Sequence, residues 1–93
     1  MLSKVPVNLE KIRPENLNKE ILRTAMIAEL DAINMYEEMA ALSNSEDLRK
    51  VLLDIAREEK IHVAMFETVL LAADEEFLQI YIDYALAKRG GGA

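Results

Sequence analysis

The sequence predicts an all-α protein: an antiparallel helical hairpin followed by a short third helix, two copies of which pair into a four-helix bundle. Three observations predict it. Apolar residues recur at alternating steps of three and four over two long segments that contain no Gly or Pro, from Ile21 to Leu42 and from Glu46 to Leu71. Short polar breaks separate the segments, and no alternating strand pattern competes. Finally, 52% of only 93 residues are apolar, which is more than so small a chain can enclose by itself.

The elements follow in order. Residues 1–17 read as irregular, broken by Pro6 and Pro14. Asn18 is the expected cap of a first helix over residues 19–43, with Glu20 in its first turn. The stretch Ser43-Asn44-Ser45 breaks it, and Ser45 caps a second helix over 46–71 that opens with Glu46 and Asp47. Asp74 caps a third helix over 75–88, and 89–93 ("RGGGA") read as a flexible tail. The whole, 1–93, is one domain.

Composition excludes several classes. The formal net charge is −6, which argues against a nucleic-acid partner and suits the attraction of cations. No apolar run approaches the roughly 20 residues of a membrane span, and the first residues lack the apolar core of a secretory signal. There is no cysteine, hence no disulfide framework. No Gly-rich phosphate loop and no internal repeat is present.

The candidate site comes from the interruptions of the apolar seams. On the first helix the seam is Leu22, Met26, Glu29, Ile33, Tyr36 and Ala40, flanked by Ile21, Ala25, Ala28, Ala32, Met35, Met39 and Leu42. On the second it is Leu48, Leu52, Ile55, Glu59, His62, Phe66 and Val69. Residues three or four apart share a helix face, so Glu29, Glu59 and His62 sit where leucines should be. Glu29 lies 15 residues before Asn44 and Glu59 lies 15 after it. At about 1.5 Å per residue the two carboxylates are level across the hairpin, with His62, the sole histidine, one turn away.

Carboxylates buried without a partner are costly, so such groups are paired or bind metal, and no Lys or Arg lies on the same seam. Di-iron carboxylate bundles use one Glu from each of two helices and a Glu-x-x-His pair from each of the other two. One chain supplies half of that set; two chains on a two-fold axis supply the whole. Glu29 and Glu59 from both chains would then carry four negative charges against the four positive charges of two Fe²⁺. Mixed carboxylate and imidazole donors suit iron, and Zn, Mn or Ca can take the same groups. A lone Glu-x-x-His occurs often by chance, and an inward histidine commonly just hydrogen-bonds across an interface. Tyr36 is a candidate neighbour of the site or simply core. The five methionines read as initiator and packing residues, and Glu37, Glu38 and the charges around Glu58 as solvated faces.

Two stretches, "AELDAINMYEEMA" (Ala28 to Ala40) and "AREEKIHVAMF" (Ala56 to Phe66), resemble the two metal helices of the encapsulated ferritins, within the ferritin-like superfamily. "FLQIYIDYAL" (Phe77 to Leu86) is similar to that family's short third helix. The resemblance spans roughly residues 19–88. It implies a ferroxidase that oxidises Fe²⁺ with O₂ at a di-iron site shared by two chains, with Glu29, Glu59 and His62 as ligands and Tyr36 beside them. It implies a homo-oligomer, at least a dimer and commonly a decameric ring of dimers, working in the cytoplasm inside an encapsulin shell that stores the iron. Many members carry a further Glu at the position of Ala28 and a Trp at that of Met35, positions linked with metal access; here Asp31 is the candidate for that role. The apolar docking peptide of many members is missing, and "AKRGGGA" reads as a free tail or the start of a linker to a shell protein. The alternatives are a rubrerythrin-like peroxidase, a metal carrier, or a non-catalytic helical dimer.

Overall fold

The structure, a computed structural model, describes Lys11 and residues 13–92, without the side chains of residue 86 and residues 88–92. Three helices follow one another: α1 (Pro14–Leu42), α2 (Glu46–Ala73) and α3 (Glu75–Gly92). No strand occurs among the described residues. The all-α class and the hairpin expected from the periodicity are both present.

α1 begins at Pro14, five residues before the expected start, and Asn18 lies inside it rather than capping it. Proline breaks a helix in its interior, but at the first helical position its fixed φ fits and its missing N–H has no partner to lose. Pro14 therefore starts the helix, behind Arg13, whose carbonyl accepts from Asn16 N–H at 2.9 Å. The rest of the expected irregular stretch, residues 1–10 and 12, lies outside the described residues. α3 runs past the expected stop at Lys88 as far as Gly92. Glycine ends a helix by turning left-handed, and no described glycine takes positive φ.

The turn is a compact polar clamp. Ser45 accepts from Leu48 N–H at 3.2 Å, as a capping serine should. α1 has no basic residue in its own last turn. Arg49 of α2 serves instead: its Nη2 donates to Ser43 O at 2.7 Å, its Nε to Ala40 O at 3.3 Å, and its Nη1 reaches Glu46 Oε2 at 3.2 Å. One guanidinium thus holds the carbonyls of Ala40, in the last turn of α1, and of Ser43, its C-cap, and places a positive charge at the negative end of the helix dipole. Nothing in the helical period distinguishes Arg49 from the solvated charges beside it.

The buried residues are Ala32, Ile33 and Ala40 on α1 and Leu52, Ala56 and Leu70 on α2. Half are alanines, which let the two axes approach closely. The seam expected on α2 is partly corrected. Leu48 and Val69 are 50% and 55% exposed, and Ala56 and Leu70 are buried in their stead. Leu48, Ile55, His62 and Val69 are seven apart. Seven residues turn a straight helix about 20° short of two full turns, so such a line drifts off the contact. The apolar arc of α2 is wide enough for two surfaces. One meets α1; the other, carrying Leu48, Val51, Met65 and Val69, is open.

α3 does not lie along the hairpin. It makes no close backbone approach to α1 and meets α2 only near its start. Asp74 alone separates α2 from α3, in an extended conformation (φ −125°, ψ 94°), and caps α3 by accepting from Phe77 N–H at 3.0 Å. Arg23 of α1 braces this corner 3.5 Å from Asp74. An 18-residue helix is about 27 Å long, and a hairpin is about 20 Å wide. Set side by side they account for the flat 45 × 45 × 15 Å outline, with α3 projecting sideways in the plane of the hairpin. The radius of gyration, 16.8 Å, exceeds the roughly 12 Å of a compact chain this long. Phe77, Leu78, Ile80, Tyr81, Ile82 and Tyr84 all remain exposed.

Two substitutions test the clamp by chemical denaturation. Ser45→Ala should cost about 1 kcal/mol and Arg49→Ala about 1–2 kcal/mol. Arg49→Lys should recover little of the latter, because a single ammonium does not span two carbonyls.

Candidate metal centre

Two level positions on facing helices bring three ligand-type side chains together near the middle of the hairpin. Each of Glu29, Glu59 and His62 offers a ligand atom lying within 4.8 Å of the other two. His62 Nδ1 donates to Glu29 Oε2 at 2.8 Å, across the hairpin, and stands 3.7 Å from Glu59 Oε1 on its own helix. The register deduced from counting residues on either side of Asn44 is the register of the structure. A further bridge, Lys60 Nζ to Glu37 Oε2 at 2.8 Å, ties the same two helices one residue beyond Glu59; sequence reading had left both charges to solvent.

The three groups are not equally enclosed. The Glu29 and Glu59 side chains are 16% and 17% exposed, whereas that of His62 is 47% exposed. The histidine sits on the rim between the closed face of α2 and its open one, not in the inward seam. Beside it lies a depression of about 260 Å³ walled by Glu29, His62, Met65 and Phe66. The cluster therefore looks outward, onto the surface that α2 leaves uncovered.

Electrostatics set Glu59 apart. Its carboxyl is held above the ordinary glutamate value, first by burial, then by a hydrogen bond to Glu29 and repulsion from the Glu29 charge. His62 pulls the other way and is outweighed; Glu58 adds a little more repulsion. Two carboxylates this close resist being ionised together. A divalent cation would remove that conflict. The donor set, two carboxylates and one imidazole with room on the outer side, fits iron as well as Zn²⁺ or Mn²⁺.

Tyr36 is half-buried on α1, about 10 Å further along the axis than Glu29. Asp31 is half-buried rather than exposed and has an interaction of its own. Two residues along a helix are about 200° of rotation, so Asp31 faces away from Glu29 and is not in the cluster. Ala28 and Met35 are both half-buried.

The all-helical hairpin has a ferritin-like fold. The chain belongs to the Rubrerythrin family, whose sequence pattern matches residues 20–87. Over 78 residues, 82% of this chain, it is 53% identical to the ferritin-like–encapsulin shell fusion protein of Pyrococcus furiosus. The chain spans about a quarter of that relative's length, 23%. Its fold is similar to the crystal structure of the encapsulated ferritin domain from Pyrococcus furiosus, with a TM-score of 0.73 and 42% identity over 100% of this chain and 96% of that one. The resemblance drawn from the two metal-helix stretches is borne out.

The raised Glu59 carboxyl has a consequence for the metal-free protein. Between its ordinary value, near 4.5, and its higher folded value, the native state holds more protons than the unfolded state. Stability therefore falls as pH rises through that window. Thermal melts of metal-free protein should show a higher midpoint at pH 5 than at pH 7, and Glu59→Gln should flatten the difference.

Proposed function

We propose that this protein is a ferroxidase. It oxidises Fe²⁺ with O₂ at a di-iron site made by two chains, and delivers the iron for storage within an encapsulin shell, in the cytoplasm. The observation that carries the reading is that Glu29, Glu59 and His62 converge at an open face, as half of a two-iron donor set.

A second chain across a two-fold axis would supply the other half and cover the open apolar side of α2. Fe²⁺ is substrate here. The protein's part is to bring two ions together, to balance their charge with the carboxylates of Glu29 and Glu59, and to give each an imidazole from His62. Protonated Glu59 must lose its proton to take a metal ion, so uptake weakens as pH falls through its raised pKa. O₂ accepts the electrons, and no side chain need act as acid or nucleophile. A ring of such dimers, up to a decamer, would use the exposed faces of α3. The encapsulin partner is supported by the fusion of the Pyrococcus relative. The match to the Rubrerythrin pattern favours a second reading, a peroxidase on the same site. Faster turnover with H₂O₂ than with O₂ would select it.

Native mass spectrometry before and after adding Fe²⁺ tests the shared site. Even-numbered assemblies carrying about two irons per two chains are expected; dimers that take up no iron would leave the three residues as interface polar groups. Glu59→Ala should reduce Fe²⁺ oxidation to the rate of the free ion and should raise the melting temperature of the metal-free protein, since it deletes a strained carboxylate pair. A variant oxidising iron as fast as the parent would end the proposal.

A further inference from the structure

Of the four methionines with described side chains, Met26, Met35, Met39 and Met65, only Met65 lines the depression that holds Glu29 and His62. It lies one helical turn beyond His62, on the same face, and is 60% exposed in the single chain. Met26, three residues before Glu29, lines instead an apolar corner with Phe77 and Ile80 of α3. Met39 is 38% exposed but begins about 15 Å along the axis from Glu29. The remaining walls of the depression are the two candidate ligands and Phe66, whose ring has no atom that readily accepts oxygen. Met65 therefore presents the one easily oxidised atom facing the site that is not itself a candidate ligand.

Resting on the ferroxidase reading, we propose that Met65 is an oxidation site coupled to turnover: its thioether captures the peroxide made beside it. Two Fe²⁺ give one electron each to O₂, which takes up two protons and leaves as H₂O₂. The Met65 sulfur then attacks one peroxide oxygen. The O–O bond breaks, an S–O bond forms, and the second oxygen departs as water after a proton transfer. The sulfur is oxidised by two electrons to the sulfoxide and the peroxide is reduced. A second chain completing the metal site on this open face would also cover the depression, so the peroxide would meet Met65 before it met solvent. Two thioethers face each two-chain site, so about the first two turnovers are absorbed. The sulfoxide is polar and is reversible by reductases, so the wall of the depression becomes polar in proportion to use.

The test uses the full chain, loaded with Fe²⁺ in steps under air with catalase in solution, followed by peptide mass spectrometry. Met65 should gain one oxygen within the first few irons per chain, at least tenfold ahead of Met39, and catalase should not prevent it. The same protein given the equivalent H₂O₂ without iron, and no catalase, should show no such preference. Met65→Leu should release free H₂O₂ from the first turnover, whereas the parent releases it only after a lag. Iron oxidised normally with Met65 unmodified, protection of Met65 by catalase, or equal oxidation of Met65 and Met39 would each overturn this inference and leave the ferroxidase reading standing. Absence of any protein-dependent iron oxidation would instead remove the reading on which it rests.

Discussion

Two glutamates held level between two helices, sharing one imidazole, are the constraint on which the rest of the structure turns. Glu29 and Glu59 come within ligand distance of each other only because the helices are close and in register. Alanines at 32, 40 and 56 allow the approach. The short turn, gripped by Arg49 and capped by Ser45, fixes the register at one end. The Lys60–Glu37 bridge holds it again beside the cluster. A change of one residue in register would move Glu59 by about 1.5 Å and 100°, enough to take it out of the cluster. The fold is a device for bringing like charges together, and the raised Glu59 carboxyl is the mark of that work.

The same constraint explains why the protomer is open. A hairpin has one interior, and the carboxylates take part of it. The sole histidine is left on the rim, where α2 turns from its covered side to its bare one. The exposed apolar residues around it form a second face of the same helix, and α3 adds a projecting arm that is apolar on both sides. A single chain with a radius of gyration of 16.8 Å and, among the described residues, no large side chain fully buried is short of the core that a chain this size needs. The exposed edge of His62 and the uncovered apolar residues lie on the same side of α2, so one partner surface would cover both.

Much of this was legible in the sequence because helices are periodic. The positions of Glu29, Glu59 and His62 followed from counting along two helices and across one turn, and the caps Ser45 and Asp74 from their residue types. What was not legible depends on angles that periodicity does not carry. A wide apolar arc on α2 does not say which part faces α1, so Leu48 and Val69 were assigned inward and Ala56 and Leu70 overlooked. Pro14 reads as a breaker or a starter depending on which residue becomes the first of the helix. The direction of α3 rests on the backbone of Asp74 alone, and the grip of Arg49 on where the turn places the carbonyls of Ala40 and Ser43.

A carboxylate pair that destabilises the fold by itself would also give a divalent cation its affinity. Whatever free energy the fold forgoes by holding Glu29 and Glu59 together would be recovered if a divalent ion separated their charges, and binding would be strengthened by the strain relieved. Replacing the pair by apolar residues would make a steadier hairpin and a worse site. The clamp residues follow from this. A hairpin carrying mutually repelling groups at its centre must be fastened elsewhere, and it is fastened at the turn and at Lys60–Glu37, beside the carboxylates.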